Sequence, residues 1–407
     1  MHLRRLIAAL ALAAPLLAAG CSLGSGIASH SVEYNSTVER AADSVLLLNV
    51  LRARDRVPLH FSALGAIHGS FGLSAGFGYD LTGASVNGTL PAILGSTSPS
   101  FDIGPLDRQE FVRGLMRPID PGLFRLLSDS GLPDGILLHL LVSRVEDSSG
   151  QVVRNDPRRR VDLDPGARRA CAAQGAAAPP PCDSFEAMVD SIAAKGRLTF
   201  NGYTRLIPVG PRLPASAVAD AEKLLALREP GMTLRPEGAS GWRLYRTAGQ
   251  LALCVPEGNG RRTAYALDSD PPQVSPMPQD GDPCGADEVA EQPARAGAAA
   301  PPGLSWYLRS VNEVFHYLGD VQQREEDGVP YWVGLGDGKE ARLFRLLERQ
   351  PSRPRMSVDY RGTRWWVAEH VSGEDETTTV LALVSLLLNL QKSAGELPSS
   401  GTLRLIR

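Results

Sequence analysis

Apolar residues recur along this chain with two periods, and each change of period marks a new element. From Ser36 to Arg54, Val38, Ala41, Ala42, Val45, Leu46, Leu48 and Leu51 fall at helical spacing. Ser36 and Glu39 form a capping box, and Pro58 stops the helix. From Ile67 the period drops to two. Ile67, Gly69, Phe71, Leu73, Ala75, Phe77 and Tyr79 alternate with His68, Ser70, Gly72, Ser74, Gly76 and Gly78. After Asp80-Leu81-Thr82-Gly83 the alternation resumes through Ala84, Val86, Gly88, Leu90 and Ala92. The pattern predicts a long Gly/Ser-rich β-hairpin over 67–94. Phe71, Leu73, Phe77, Tyr79, Val86 and Leu90 mark its apolar face, a candidate membrane or partner surface. Each strand is close to the roughly 9 to 11 residues that a tilted strand needs to cross a bilayer.

Leu106 to Asp129 reads as two helical segments divided by Pro118 and Pro121. The first buries Phe111, Leu115 and Met116, and the second Leu123, Leu126 and Leu127. The apolar run Ile136 to Val142, within Gly135 to Glu146, is expected to be a buried strand. Downstream, a short helix over Phe185 to Ala194 precedes a strand from Arg197 to Pro208 and a helix from Ala215 to Leu227. Trp242 to Val255 reads as a hairpin turning at Ala248-Gly249. Glu257 to Pro302 lacks periodicity and reads as a loop. In the C-terminal quarter Trp306 to Leu318 is helical, and Met356 to Tyr360 pairs with Arg364 to Ala368 across Arg361-Gly362-Thr363. Glu376 to Lys392 forms a helix that is apolar almost all round and so must be covered.

Strands and helices mix without a βαβ rhythm, so the expected class is α+β. The expected architecture is a mixed or antiparallel sheet packed with several helices, with the hairpin near the N-terminus and two low-complexity inserts. The chain divides into a lipoprotein signal peptide (1–20), a flexible tether (21–32) and a helix, hairpin and helix–strand region (33–146). A solvated insert (147–184), an α+β region (185–256), a low-complexity loop (257–303) and a C-terminal α+β region (304–407) follow.

The signal rests on Arg4 and Arg5 before the apolar Leu6 to Ala14, and on Leu17-Ala18-Ala19-Gly20-Cys21 at its end. Small residues before a cysteine at the cut point are the grammar of a bacterial lipoprotein, in which the Cys21 thiol is acylated and the preceding peptide removed. Three acyl chains, at about 0.8 kcal/mol per buried methylene, exceed the two signals that stable anchoring needs. Ser22 follows, where an aspartate would favour retention in the inner membrane. The expected location is therefore the outer membrane, facing the periplasm.

With 43% hydrophobic residues the chain can bury a sizeable core, and its net charge of -3 exerts no global pull on nucleic acid. With Cys21 lipidated, four of the five cysteines remain for an oxidising compartment, and proximity suggests Cys171 with Cys182 and Cys254 with Cys284. Neither pair has a C-x-x-C spacing or a nearby histidine, so no metal or other cofactor is expected.

Candidate chemistry is sparse. Gly72-Leu73-Ser74-Ala75-Gly76 fits G-x-S-x-G, but a nucleophile elbow needs strand, sharp turn and helix, and this match lies inside continuous alternation. Gly334 to Lys339 evokes a phosphate loop, yet Val333 stands where its first glycine belongs and Glu340 would repel phosphate. Glu369-His370 with Glu374, Asp375 and Glu376 reads better as charge and cap for the last helix, with Ser372 as N-cap, than as a metal or acid–base site. Arg158-Arg159-Arg160 is interleaved with Asp156, Asp162 and Asp164, the composition of a solvated loop.

Asn49-Val50-Leu51-Arg52-Ala53-Arg54-Asp55-Arg56 running into Pro58-Leu59-His60-Phe61, the Ser/Gly alternation after it, and Leu106 to Phe111 leading to Arg117-Pro118-Ile119 resemble one family. Leu308-Arg309-Ser310-Val311, Tyr317-Leu318-Gly319, and Leu386 to Leu390 with Glu396-Leu397-Pro398 carry the same resemblance. It is to a family of proteobacterial outer-membrane lipoproteins with no assigned activity, and it spans most of the chain outside the two inserts. The resemblance implies location and architecture and confers no catalytic residue.

The expectation is a lipid-anchored outer-membrane lipoprotein facing the periplasm, with a non-enzymatic binding or scaffolding role in the envelope. Its partners would be the membrane, through Cys21, and an envelope protein or another copy, with no nucleic acid. An oligomeric outer-membrane pore or secretion component inserting the 67–94 hairpin is the alternative. An envelope hydrolase using Ser74 or the Glu369/His370 region is the second.

Overall fold

A computed structural model of the chain describes residues 32, 35–76, 92–106, 109–146, 151–159, 184–214, 216, 232–237, 241–256, 262–268, 284, 305–336, 339–370 and 374–391. The fold is α+β. Helix α1 (35–54) buries Leu46, Leu47, Val50, Leu51 and Ala53, the stripe that helical spacing dictates. It ends in two reverse hydrogen bonds, Val57 N–H to the Arg52 carbonyl at 3.0 Å and Arg56 N–H to that of Ala53 at 3.1 Å. This pair of bonds needs a left-handed residue just past the helix. Arg56 takes that conformation, with φ 57°.

A separate two-stranded ribbon follows, made of β1 (Ser62–Gly76) and β2 (Ala92–Pro105). They pair antiparallel from Ser62↔Pro105 to Gly76↔Ala92, with one register shift between Leu64 and Ile67. Leu106 N–H donates to the Phe61 carbonyl at 3.0 Å and closes the base. The partner of β1 thus lies further along the chain than a turn at Asp80–Gly83 implies. Ala92–Leu94 belong to β2, and the expected turn and residues 84–91 lie outside the described residues. In this register Ala75 meets Ile93 and Ile67 meets Phe101, so apolar positions oppose apolar ones.

Helices α2 (Gln109–Met116) and α3 (Pro121–Asp129) are divided at the prolines as expected. Asp120 caps α3 by accepting from Gly122 N–H at 2.7 Å, ahead of Pro121 in the first turn. Phe111, Leu115, Phe124 and Leu127 are buried, whereas Met116 and Leu126 are exposed, at 60% and 64%. Met116 and Leu126 lie off the faces that bury Phe111 and Leu115 in α2 and Phe124 and Leu127 in α3.

The expected strand over 135–146 is instead a helix, α4 (Asp134–Leu141), passing directly into strand β3 (Val142–Glu146). Ile136, Leu137, Leu138, Leu140, Leu141 and Val142 are all fully enclosed. A run buried on every side carries no periodicity to separate helix from strand. The leucines favour the helix and the β-branched Val142 and Val145 the strand.

The main sheet has the order β4-β3-β9-β8-β7-β5, with β6 also on β7. Its strands are β3, β4 (Val152–Arg154), β5 (Thr199–Pro214), β6 (Met232–Glu237), β7 (Gly241–Pro256), β8 (Arg262–Asp268) and β9 (Ser305–Leu308). Only β8 and β9 run parallel. Strand β7 runs straight through the Ala248-Gly249 position read as a turn. There Arg205↔Ala248 and Thr204↔Gly249 continue its pairing with β5, and a partner along nearly the whole strand outweighs one local turn signal. Segments read as unstructured, β4 and β8, gain their order from the same sheet. Residues 306–308, read as the start of a helix, are strand β9 between β3 and β8.

Helix α5 (Phe185–Ala194) is capped by Ser184, which accepts from Ala187 N–H at 3.2 Å. Helix α6 (Val311–Glu326) starts with a capping box of Ser310 and Glu313. Hairpin β10 (Trp332–Gly336)–β11 (Lys339–Arg342) leads to hairpin β12 (Pro354–Tyr360)–β13 (Thr363–Ala368) and helix α7 (Thr377–Gln391). In α7 Asp375 accepts from Thr377 N–H at 2.9 Å, so the cap lies beside the helix, and Ser372 is outside the described residues. The predicted 215–227 helix likewise lies almost wholly outside them. No helix among the described residues is long and apolar enough to cross a membrane.

Candidate functional site

The densest polar chemistry among the described residues is buried where α4, α5, α6 and β10 meet. Arg309, immediately before the N-cap of α6, is 4% exposed. Its Nη1 donates to the carbonyls of His139 (2.9 Å) and Leu140 (3.0 Å), and its Nη2 to that of Asn155 (2.6 Å). The first two carbonyls lie in the last turn of α4, where the helix dipole is negative. Burial pulls the Arg309 pKa below its usual value, and Tyr317 and Tyr331 oppose that pull. The guanidinium carbon stands 3.9 Å from the centre of the Tyr317 ring. The Tyr317 hydroxyl, raised well above its usual value chiefly by burial, donates to the Tyr331 hydroxyl at 2.9 Å.

Asn155 completes this clamp. Its Nδ2 donates to the carbonyls of His139 (2.7 Å) and Val142 (2.8 Å), spanning the helix-to-strand junction. Together Asn155 and Arg309 answer the carbonyls that α4 leaves open as it becomes β3, which would otherwise be orphaned in the core.

His139 is fully buried, with its ring between Phe185 and Tyr331, both 6.0 Å away. Nε2 lies 3.8 Å from Asp190 Oδ1, and neither ring nitrogen has a hydrogen-bond partner among the described residues. Asp190 Oδ1 also accepts from Gly334 N–H at 3.3 Å. The close seat of α4 on β10 depends on glycine, because a Cβ at Gly135 would stand 1.7 Å from the Gly334 carbonyl oxygen. The set contains a histidine, a carboxylate and two phenols, and His139 is fully buried. The contacts of the set join α4, α5, α6 and β10 to one another.

A second polar seam ties α1 to α6 and to the β12–β13 hairpin. Arg54 pairs with Glu326 at 2.7 Å and with Asp55 at 2.8 Å, and stacks 4.8 Å from the centre of the Trp365 ring. Asp55 accepts from the Tyr360 hydroxyl at 3.0 Å and from Arg361 at 2.8 Å. Burial would raise the Asp55 carboxyl, but Arg54, Tyr360 and Arg361 hold it below the usual range. Asn49 accepts from His60 N–H at 2.8 Å and donates to the His60 carbonyl at 2.8 Å, pinning the chain after α1. The polar residues of the 49–61 motif thus serve as structural ties.

Of the residues singled out from the sequence, Cys21, Cys171, Cys182, Phe77, Tyr79, Val86 and Leu90 lie outside the described residues. Cys254 and Cys284 are joined, with Cα atoms 5.6 Å apart, and pack with Ala252 and Ala264 in a small cluster of their own. Phe71 and Leu73 stand at odd positions of β1, in register with Thr97 and Gly95. Ser74 is inside the same strand, opposite Leu94. Gly334 and Lys339 belong to the β10–β11 hairpin. Glu369 and His370 are exposed, and no group of three or more metal-ligating side chains occurs among the described residues.

The Arg309–Asn155 clamp was missed because its members lie far apart in sequence. The one available signal was a lone arginine between the apolar Leu308 and the capping residue Ser310. Comparison of the chain with protein-family profiles, with characterised proteins and with solved structures returns no match.

Proposed function

We propose that this is a lipid-anchored protein of the outer membrane, facing the periplasm, whose role is to bind or scaffold another envelope component rather than to catalyse a reaction. The anchor reading rests on the Arg4-Arg5, Leu6–Ala14 and Leu17–Cys21 grammar and on the family resemblance. The non-enzymatic reading is carried by one observation. The polar chemistry of the described body is spent on joining its own elements: Arg309 and Asn155 on the α4–β3 junction, Arg54 and Asp55 on the α1 seam.

The test is acylation and location. Mass spectrometry of the mature amino terminus should find a lipidated Cys21, and the Cys21→Ser variant should leave the membrane fraction with its body folded. An unmodified Cys21, or a C21S protein that sediments with the outer membrane unchanged, overturns the anchor.

A further inference from the structure

The β1–β2 ribbon stands apart from every other sheet among the described residues, and each strand has one neighbour only. Both outer edges therefore present backbone donors and acceptors that no described strand satisfies. Beyond the shift at Leu64–Ile67, ten consecutive pairs run from Ile67↔Phe101 to Gly76↔Ala92. The described pairs alone reach the roughly 9 to 11 residues that carry a tilted strand across a bilayer, and a register shift belongs at a barrel rim.

The pairs sort strictly by row. Odd rows read Ile67/Phe101, Gly69/Pro99, Phe71/Thr97, Leu73/Gly95 and Ala75/Ile93. Even rows read His68/Ser100, Ser70/Ser98, Gly72/Ser96, Ser74/Leu94 and Gly76/Ala92. Alternate rows lie on opposite faces, so one face is apolar but for Thr97 and the other is serine-rich. From Val57 to Phe101 the only charged side chain in the sequence, with histidine neutral, is Asp80. Water-exposed edge strands normally carry charges, lysine above all, to block association. The ten rows have none, Asp102 lying just past them near the base, and Pro99 is their sole proline.

We propose that the ribbon is a donated piece of an outer-membrane barrel. Copies of this chain pair edge to edge, the odd face meets lipid and the even face lines the lumen. Closure is what lets such edges exist in hydrocarbon, and two strands per copy give the even strand number of single-chain bacterial barrels. The proposal rests on the envelope reading above and names its partner as a second copy of this chain.

The experiment places one arginine on each face, at adjacent positions, in the full-length acylated protein mixed with phosphatidylethanolamine/phosphatidylglycerol vesicles. The wild type and Ser74→Arg should form detergent-resistant oligomers and release an entrapped dye. Leu73→Arg should lose both by about tenfold or more, because a cation on the lipid face near mid-bilayer is strongly penalised. The melting temperature of the body and the Cys254–Cys284 bond report folding, and both should be unchanged in either variant. A folded wild type that stays monomeric and releases nothing overturns the proposal, as does equal behaviour of the two arginine variants. Failure of the anchor reads out separately: an unacylated Cys21 with the Leu73/Ser74 split intact removes the anchor and leaves the ribbon.

Discussion

Two residues break a local backbone rule in the same way. Among the described non-glycine residues only Arg56 and Arg361 have positive φ, at 57° and 50°. Each is an arginine paired with an aspartate on another element, Arg56 with Asp320 on α6 and Arg361 with Asp55 beyond α1. A left-handed non-glycine residue costs about 1 to 2 kcal/mol, and a partly exposed ion pair returns about 1 kcal/mol or less. Arg361→Gly should therefore leave the urea midpoint nearly unchanged, while Arg361→Val, which loses the pair and keeps the strain, should lower stability by about 1 to 2 kcal/mol. Arg309 is a different case, since its removal strands buried carbonyls. Arg309→Met should cost about 3 kcal/mol by denaturant unfolding, with Arg309→Lys between it and the wild type. His316, half-buried on α6, titrates below the usual imidazole value, chiefly through burial and then through Arg56, against Asp320 and Glu313. The unfolded chain takes that proton first as pH falls. Stability is thus lost from about pH 6.5 downward until the folded group titrates, and it is retained above that window. Melting temperatures at pH 7 and 5 should differ less in His316→Asn than in the wild type.

At the scale of elements, the crossing of α1 on α6 depends on a missing side chain. A Cβ at Gly319 would stand 2.5 Å from the Arg54 nitrogen and 2.8 Å from the Ala53 carbonyl carbon, both backbone atoms that have no easy retreat. Gly319→Ala should raise the helix propensity of α6 yet destabilise the protein by about 1 to 3 kcal/mol, because the clash outweighs the propensity gain. Elements with an exposed polar face were legible from sequence: α1, α2 and α3 lie close to where periodicity put them, as does the β12–β13 hairpin. Of those enclosed on all sides or ordered by a distant partner, α5 was placed and three were not. Helix α4 was read as a strand and β9 as a helix, and the continuous β7 was read as a hairpin.

For the whole molecule, Cys254 and Cys284 close a span of 30 residues that returns to the sheet after β8. Loop-closure entropy assigns that cross-link about 3 to 4 kcal/mol, so the Cys254→Ser/Cys284→Ser double variant should melt well below the wild type in non-reducing buffer. Adding reductant to the wild type should narrow the difference. The sequence by itself determined the α+β class, the helices with one apolar stripe and the two-residue period of the ribbon, and it alone carries the residue pattern around Cys21 on which the proposed anchor rests. All of these are local, since each is read within a few turns or a few strand residues. Only the tertiary structure decided the register in which Gly76 faces Ala92, that β8 and β9 run parallel, and that Arg309 and Asn155 clamp the α4–β3 junction. The reason is physical: a backbone group that leaves its own helix or strand in the core must find a partner wherever the fold supplies one. Here that partner lies more than a hundred residues away, at a separation of 154 between Arg309 and Asn155.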